Sequence, residues 1–110
     1  MLEVTIQANA NHVIVTPSGD VDLSCSRDLQ SHLRRALEGK PKSVVVNLSK
    51  VPYMDSSGVA TLVEAMQISR KQSTKLVLCE MQDRVRSIFE IARLDKVFTI
   101  VPTVEAATAG

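Results

Sequence analysis

The sequence is poor in aromatic side chains, with no tryptophan, one tyrosine and two phenylalanines in 110 residues. A surface that stacks nucleic-acid bases is therefore not expected. Charge of one sign is also missing: 13 lysines and arginines face 12 aspartates and glutamates, for a formal net charge of +1. Binding to nucleic acid through its phosphates calls for a basic surplus, and this chain has none. No apolar run approaches the ~20 residues that span a bilayer, and no charged-then-apolar segment opens the chain as a signal peptide would. These absences predict a cytoplasmic protein that neither contacts nucleic acid directly nor inserts into a membrane. Cys25 and Cys79 are far apart in the sequence and are expected to be small buried residues. His12 and His32 stand alone, away from any cysteine or carboxylate at ligand spacing, so neither a metal nor a cofactor is expected. Four scattered glycines cannot build a Gly-x-Gly-x-x-Gly dinucleotide loop.

What is present is a chain 45% hydrophobic and 23% charged, of a length usual for one domain, so residues 1–110 are read as a single unit. Folding at this size buries roughly two-thirds of the extended chain's surface. Apolar periodicity switches between about 2 and about 3.6 along the sequence, the mark of strands alternating with helices. Leu2, Val4 and Ile6 alternate with polar residues as a half-buried strand, and Val13-Ile14-Val15 follows the Asn9-Ala10-Asn11 turn as its hairpin partner. Pro17-Ser18-Gly19 stops that second strand. A helix from about Ser24 or Ser26 carries Leu29, Leu33, Ala36 and Leu37 on one stripe and ends at Gly39 and Pro41.

Residues 43–48, with Val44-Val45-Val46, read as a strand covered on both faces. A second helix from Ser56 buries Val59, Leu62, Val63 and Met66, and Leu76-Val77-Leu78-Cys79 is another covered strand. Val85, Ile88, Phe89, Ala92 and Leu94 mark a third helix, residues 97–101 a last strand and residues 104–107 a short closing helix. The reading is an α/β fold with about five strands, mostly parallel, an antiparallel N-terminal edge strand and three to four helices.

Two loops at the carboxyl ends of strands stand out, Gly19-Asp20-Val21-Asp22 and Pro52-Tyr53-Met54-Asp55-Ser56-Ser57-Gly58. If their strands are neighbours, Asp22 and Asp55 converge beside the Ser56 hydroxyl. Asp, Ser and Gly are also ordinary cap and turn residues, and Asp22 could simply start the first helix. Two details go beyond that. A single cap residue would suffice, yet four such residues run together. Gly58 costs about 1 kcal/mol in a helix relative to alanine, and its missing bulk would let another molecule approach the backbone.

Enzymatic readings fail on the same loop. The Gly-x-Ser-x-Gly of a serine hydrolase is absent, as is a phosphate-cradling Gly-x-x-x-x-Gly-Lys-Ser/Thr. The acidic pair follows the second strand, where a receiver domain would place it after the first. No catalytic residue is assigned. What remains is a hydroxyl at a helix N-terminus, where an attached phosphate is stabilised and adds roughly −1.5 to −2 charges. Those are the makings of a switch.

Val45-Val46-Asn47-Leu48 leading into Met54-Asp55-Ser56-Ser57-Gly58, preceded by Gly19-Asp20-Val21-Asp22, resembles the STAS family, in its branch of bacterial anti-sigma factor antagonists. Arg84-Val85-Arg86-Ser87-Ile88-Phe89, Leu94-Asp95 and Phe98 are similar to that family's third helix and last strand. The resemblance implies partner switching, in which the unphosphorylated antagonist binds an anti-sigma factor that is also a serine kinase of the GHKL type. Phosphorylation releases it, and a PP2C-type phosphatase resets the system. By the same resemblance Ser56 is the phosphoacceptor, with Ser57 second, and Asp22, Asp55, Ser56, Ser57, Gly58 and Val59 belong to the partner-binding surface.

The sequence departs from the family pattern in two places. Lys71-Gln72-Ser73-Thr74 lacks the usual glycine before the following strand, and the second helix opens Gly58-Val59-Ala60 where Gly-Leu-Gly is more common. Two other roles are open to such a domain: the cytoplasmic STAS subunit of a lipid-transporting ABC system, docked without any kinase, or an assembly scaffold that never carries a phosphate.

Overall fold

The computed structural model describes residues 2–109. The elements are β1 (Glu3–Ala8), β2 (His12–Ser18), α1 (Ser26–Glu38), β3 (Ser43–Asn47), α2 (Ser56–Lys71), β4 (Lys75–Cys79), α3 (Asp83–Ile91), β5 (Thr99–Val101) and α4 (Val104–Thr108). They form one five-stranded sheet in the order β1-β2-β3-β4-β5. β1 pairs with β2 antiparallel, setting Ile6 against Val15, and the remaining pairs are parallel. The N-terminal edge strand and the order of elements therefore match the sequence reading.

The parallel strands follow one another in space without a reversal, so right-handed crossovers place α1, α2 and α3 on the same face. Their buried side chains confirm it. Leu29, Leu33 and Leu37 from α1, Leu62 and Met66 from α2, and Val85 and Phe89 from α3 share one core with Val44, Val46, Leu76 and Leu78. The alternate residues Val45, Val77 and Cys79 are buried toward the other face, and α4 packs on β3, β4 and β5. Because the strand order never reverses, no crevice opens at a topological switch point. The carboxyl ends of the strands present a surface instead.

Scarce glycine leaves its trace in the turns that follow helices and strands. Gly39 is right-handed (φ −71°), and the left-handed positions fall to Lys40 (φ 49°), Ser73 (φ 61°), Glu80 (φ 56°) and Arg93 (φ 60°). α2 closes with the Ser73 N–H donating to Arg70 O and the Thr74 N–H to Ser69 O, a Schellman arrangement that usually takes glycine at its left-handed residue. Ser73 thus holds the left-handed position where the resemblance led to the expectation of glycine.

Several boundaries differ from the sequence reading. β2 continues through Pro17 to Ser18, because pairing with β3 ends at Val15 and only β1 lies alongside beyond it. Ile6 is 43% exposed, since it lies on the edge strand and faces an open groove that it lines with His32, Arg35 and Ala36 of α1. Val63 is only half-buried on α2. α3 stops at Ile91, leaving Ala92 exposed and Leu94 outside the helix, where its N–H reaches back to Phe89 O at 2.8 Å. The last strand begins at Thr99, because Val97 and Phe98 both donate to Leu94 O in a turn.

Both cysteines are free and buried. Burial pushes the Cys79 thiol up to about 11, with Glu80 and Glu105 adding to it, so it stays neutral and unreactive. His12 Nδ1 pairs with Ser43 Oγ at 2.6 Å, and His32 Nδ1 with Asp28 O at 2.7 Å. Among the described residues no helix is long and apolar enough to cross a membrane.

Candidate functional site

Adjacent parallel strands deliver their carboxyl-end loops side by side, and here the loops after β2 and β3 are stitched together. Val21 and Met54 form a parallel bridge. The Val21 N–H donates to Tyr53 O and the Asp55 N–H to Val21 O, each at 3.0 Å. Both bridge side chains are fully buried. One residue on, Asp22 and Asp55 emerge together.

Asp55 is the N-cap of α2. Its Oδ1 accepts from the N–H groups of Ser57 at 2.9 Å and Gly58 at 3.3 Å and from the Ser57 hydroxyl at 2.5 Å. Its Oδ2 accepts from the Leu23 N–H at 3.2 Å, which ties the two loops a second time. The Ser57 hydroxyl above all, followed by the Gly58, Ser57 and Leu23 N–H groups, holds this carboxyl below its ordinary value of 3.8 against the opposing effect of burial.

Asp22 is not the cap of α1. That helix begins at Ser26 behind Cys25, which makes no side-chain cap bond. Asp22 instead orders the turn before it, accepting at Oδ1 from the Ser24 N–H at 2.9 Å and the Ser24 hydroxyl at 2.5 Å. The Ser24 hydroxyl is the main cause of a lowered Asp22 carboxyl, and the nearby Asp55 charge works the other way.

The two serines differ. Ser57 is half-buried with its hydroxyl committed to Asp55. Ser56 is exposed, and among the described residues neither its hydroxyl nor its N–H takes a partner. Neither carboxylate receives the Ser56 hydroxyl, although the sequence suggested that they would flank it. Gly58 and Val59 lie buried beneath the corner. A Cβ on Gly58 would sit 2.6 Å from Met54 Cγ and 2.9 Å from Val21 Cγ1, so this glycine serves the chain's own packing, where the sequence had suggested an approaching molecule.

Sequence reasoning passed over Leu23 and Tyr53, which are 79% and 44% exposed on the two loops. The available signal was an apolar residue in each turn that belongs to no strand alternation and no helix stripe. The depression beside the corner, lined by Leu2, Gly19, Asp20, Asp22 and Ser24 among others, has a volume of about 210 Å³. That is below the roughly 300 Å³ at which small-molecule pockets begin.

The cap has a measurable consequence. Asp55→Ala is expected to lower stability by about 1 kcal/mol at pH 7, and Asp55→Asn by less, in denaturant titrations. A carboxyl lowered in the folded state stabilises above its unfolded value and loses that contribution as pH falls through the folded one. The gap between wild type and Asp55→Asn should therefore close on acidification below the ordinary value of 3.8. A gap independent of pH would remove the charge from the account.

Comparison with known proteins bears on this corner. The STAS domain family model matches residues 3–107. The anti-sigma-B factor antagonist of Staphylococcus aureus is 28% identical over 93 residues, which cover 84% of this chain and 84% of that protein. An anti-sigma factor antagonist from Mycobacterium paratuberculosis superposes with a TM-score of 0.90 at 20% identity, over 99% of this chain and 92% of that one. The Bacillus cell fate determinant SpoIIAA in its phosphorylated form superposes with a TM-score of 0.73 at 18% identity, over 99% and 97% of the two chains.

Proposed function

The chain belongs to the STAS domain family, and on that footing we propose that it is an anti-sigma factor antagonist that works by partner switching. Unphosphorylated, it binds an anti-sigma factor that is also a serine kinase of the GHKL type. Phosphorylation of Ser56 releases it, and a PP2C-type phosphatase restores the hydroxyl. The names of its relatives support the antagonist role, and the phosphorylated form of SpoIIAA supports a phosphate-controlled one.

The observation that carries the choice of serine is the contrast at the start of α2: Ser56 exposed and unpartnered, Ser57 tied to the cap. In the transfer, Ser56 Oγ bonds to the γ-phosphorus of ATP as the bond to the bridging oxygen breaks and ADP leaves. The hydroxyl proton passes to a base on the kinase. Asp55 is unsuited to that task, because both of its oxygens already accept hydrogen bonds from the chain and its carboxyl is lowered. The chain is then the substrate of the reaction and catalyses nothing itself.

The test starts with a Ser56→Ala bait in native cytoplasm and identification of the captured kinase. That kinase, purified and supplied with ATP, should place phosphate on Ser56, located by fragment mass spectrometry. Phosphate on Ser57 alone would refute the assignment. Capture of an ABC permease component without a kinase would replace the function with the transporter reading.

A further inference from the structure

Leu23 is a large apolar side chain left 79% exposed, and Tyr53 is 44% exposed. Neither is placed by chance of a loose loop. The Leu23 N–H is bonded to Asp55 Oδ2 and Tyr53 O receives the Val21 N–H, so each backbone is held by the neighbouring loop. The bridge between Val21 and Met54 brings the two loops together, and the Leu23 N–H reaches Asp55 Oδ2 at 3.2 Å, which sets Leu23 against the residue directly before Ser56. Tyr53 lies on the Ser56 loop itself, two residues before the capping Asp55.

Ser56 is not on a tail that could thread into a catalytic cleft. It is the first residue of a capped 16-residue helix. A kinase must therefore bring its active site down onto this folded surface, and whatever covers Ser56 also meets the loop residues held against its neighbour Asp55. Resting on the reading of Ser56 as phosphoacceptor, we propose that Leu23 and Tyr53 are the apolar anchors that seat the kinase over Ser56. The occupant is the kinase because reaching the hydroxyl requires it to lie there. The anchors hold, the carboxylates and the serine discriminate, and phosphorylation must overcome a grip it does not remove.

The test titrates the purified kinase, with a non-hydrolysable ATP analogue, against wild type, Leu23→Ser, Tyr53→Ala and Ile91→Ser. Ile91 is the control: it is 83% exposed and ends α3 at the opposite end of the sheet. Leu23→Ser should weaken binding about tenfold or more, Tyr53→Ala should weaken it as well, and Ile91→Ser should stay within about twofold. All four should melt alike, because these side chains contribute little to the core. In phosphorylation assays the loss should appear in KM for the antagonist and leave kcat unchanged. If wild type binds and is phosphorylated on Ser56 while Leu23→Ser and Tyr53→Ala bind equally well, the anchors are wrong and partner switching stands. If wild type binds no kinase, both readings fall.

Discussion

Ser56→Asp is expected to weaken kinase binding by roughly 30-fold or more while the melting temperature stays near that of wild type. The argument begins with what a phosphate at this position would meet. Asp55 already occupies the Ser57 and Gly58 N–H groups, so little of the helix terminus remains to absorb new charge. Two lowered carboxyls, Asp22 and Asp55, stand beside it as anions at neutral pH. In the product complex the phosphoserine also faces the terminal phosphate of the ADP that delivered it. Two like charges near 4 Å repel by about 4 kcal/mol at an effective dielectric of 20, and screening by salt reduces that. Half the amount is already a roughly 30-fold change in Kd. One carboxylate carries less charge than a phosphate, so phosphorylated Ser56 should release the partner more completely. The fold should not respond, because Ser56 is exposed and its hydroxyl holds no partner within the described residues. Ser56→Ala should bind persistently and never be released by ATP. Calorimetric titration beside thermal melting decides the matter. Binding as tight as wild type would mean that charge at this corner is not the switch, and binding lost together with the fold would mean that the mechanism is not a surface one.

The same corner shows how far a sequence can be read. The convergence of the two loops was legible, because consecutive βαβ strands lie side by side and each ends in an Asp-bearing turn. The stripe of α1 and the covered strand through Val44, Val45 and Val46 were legible for the same kind of reason: periodicity reports which faces are buried. Periodicity could not say where β5 begins. Phe98 is buried against Phe89, edge to face with centroids 5.4 Å apart, from a turn and not from a strand. An apolar run is silent on that distinction. Nor could it tell Ser56 from Ser57, because their difference lies in which hydroxyl the capping carboxylate reaches. Gly58 was misread for a related reason, since a missing side chain looks the same whether a partner or the chain's own core takes the space.

That space makes Gly58 a position where a single methyl group should have a large effect on stability. Alanine is the better helix former by about 1 kcal/mol, so propensity alone predicts that Gly58→Ala stabilises. Packing predicts the opposite. The added Cβ would meet Met54 Cγ at 2.6 Å, Val21 Cγ1 at 2.9 Å and Val21 O at 3.1 Å, two fully buried side chains and a backbone carbonyl that accepts the Asp55 N–H. Overpacking of this kind costs about 1–3 kcal/mol, and three obstacles at once put it at the upper end. The net expectation is a loss of about 1–2 kcal/mol, which for a chain of this size lowers Tm by roughly 5–10 °C. Relief would come from moving α2 away from Val21, which would lengthen the bond between Leu23 and Asp55 and shift Ser56, so phosphorylation should slow as well. A double-mutant cycle with Met54→Ala isolates the cause. Met54→Ala alone should cost about 2–5 kcal/mol, and the pair should cost at least about 1 kcal/mol less than the two single losses added together, since each change makes room for the other. Strict additivity, or a Gly58→Ala variant more stable than wild type, would show that the crowding under the corner does not control it.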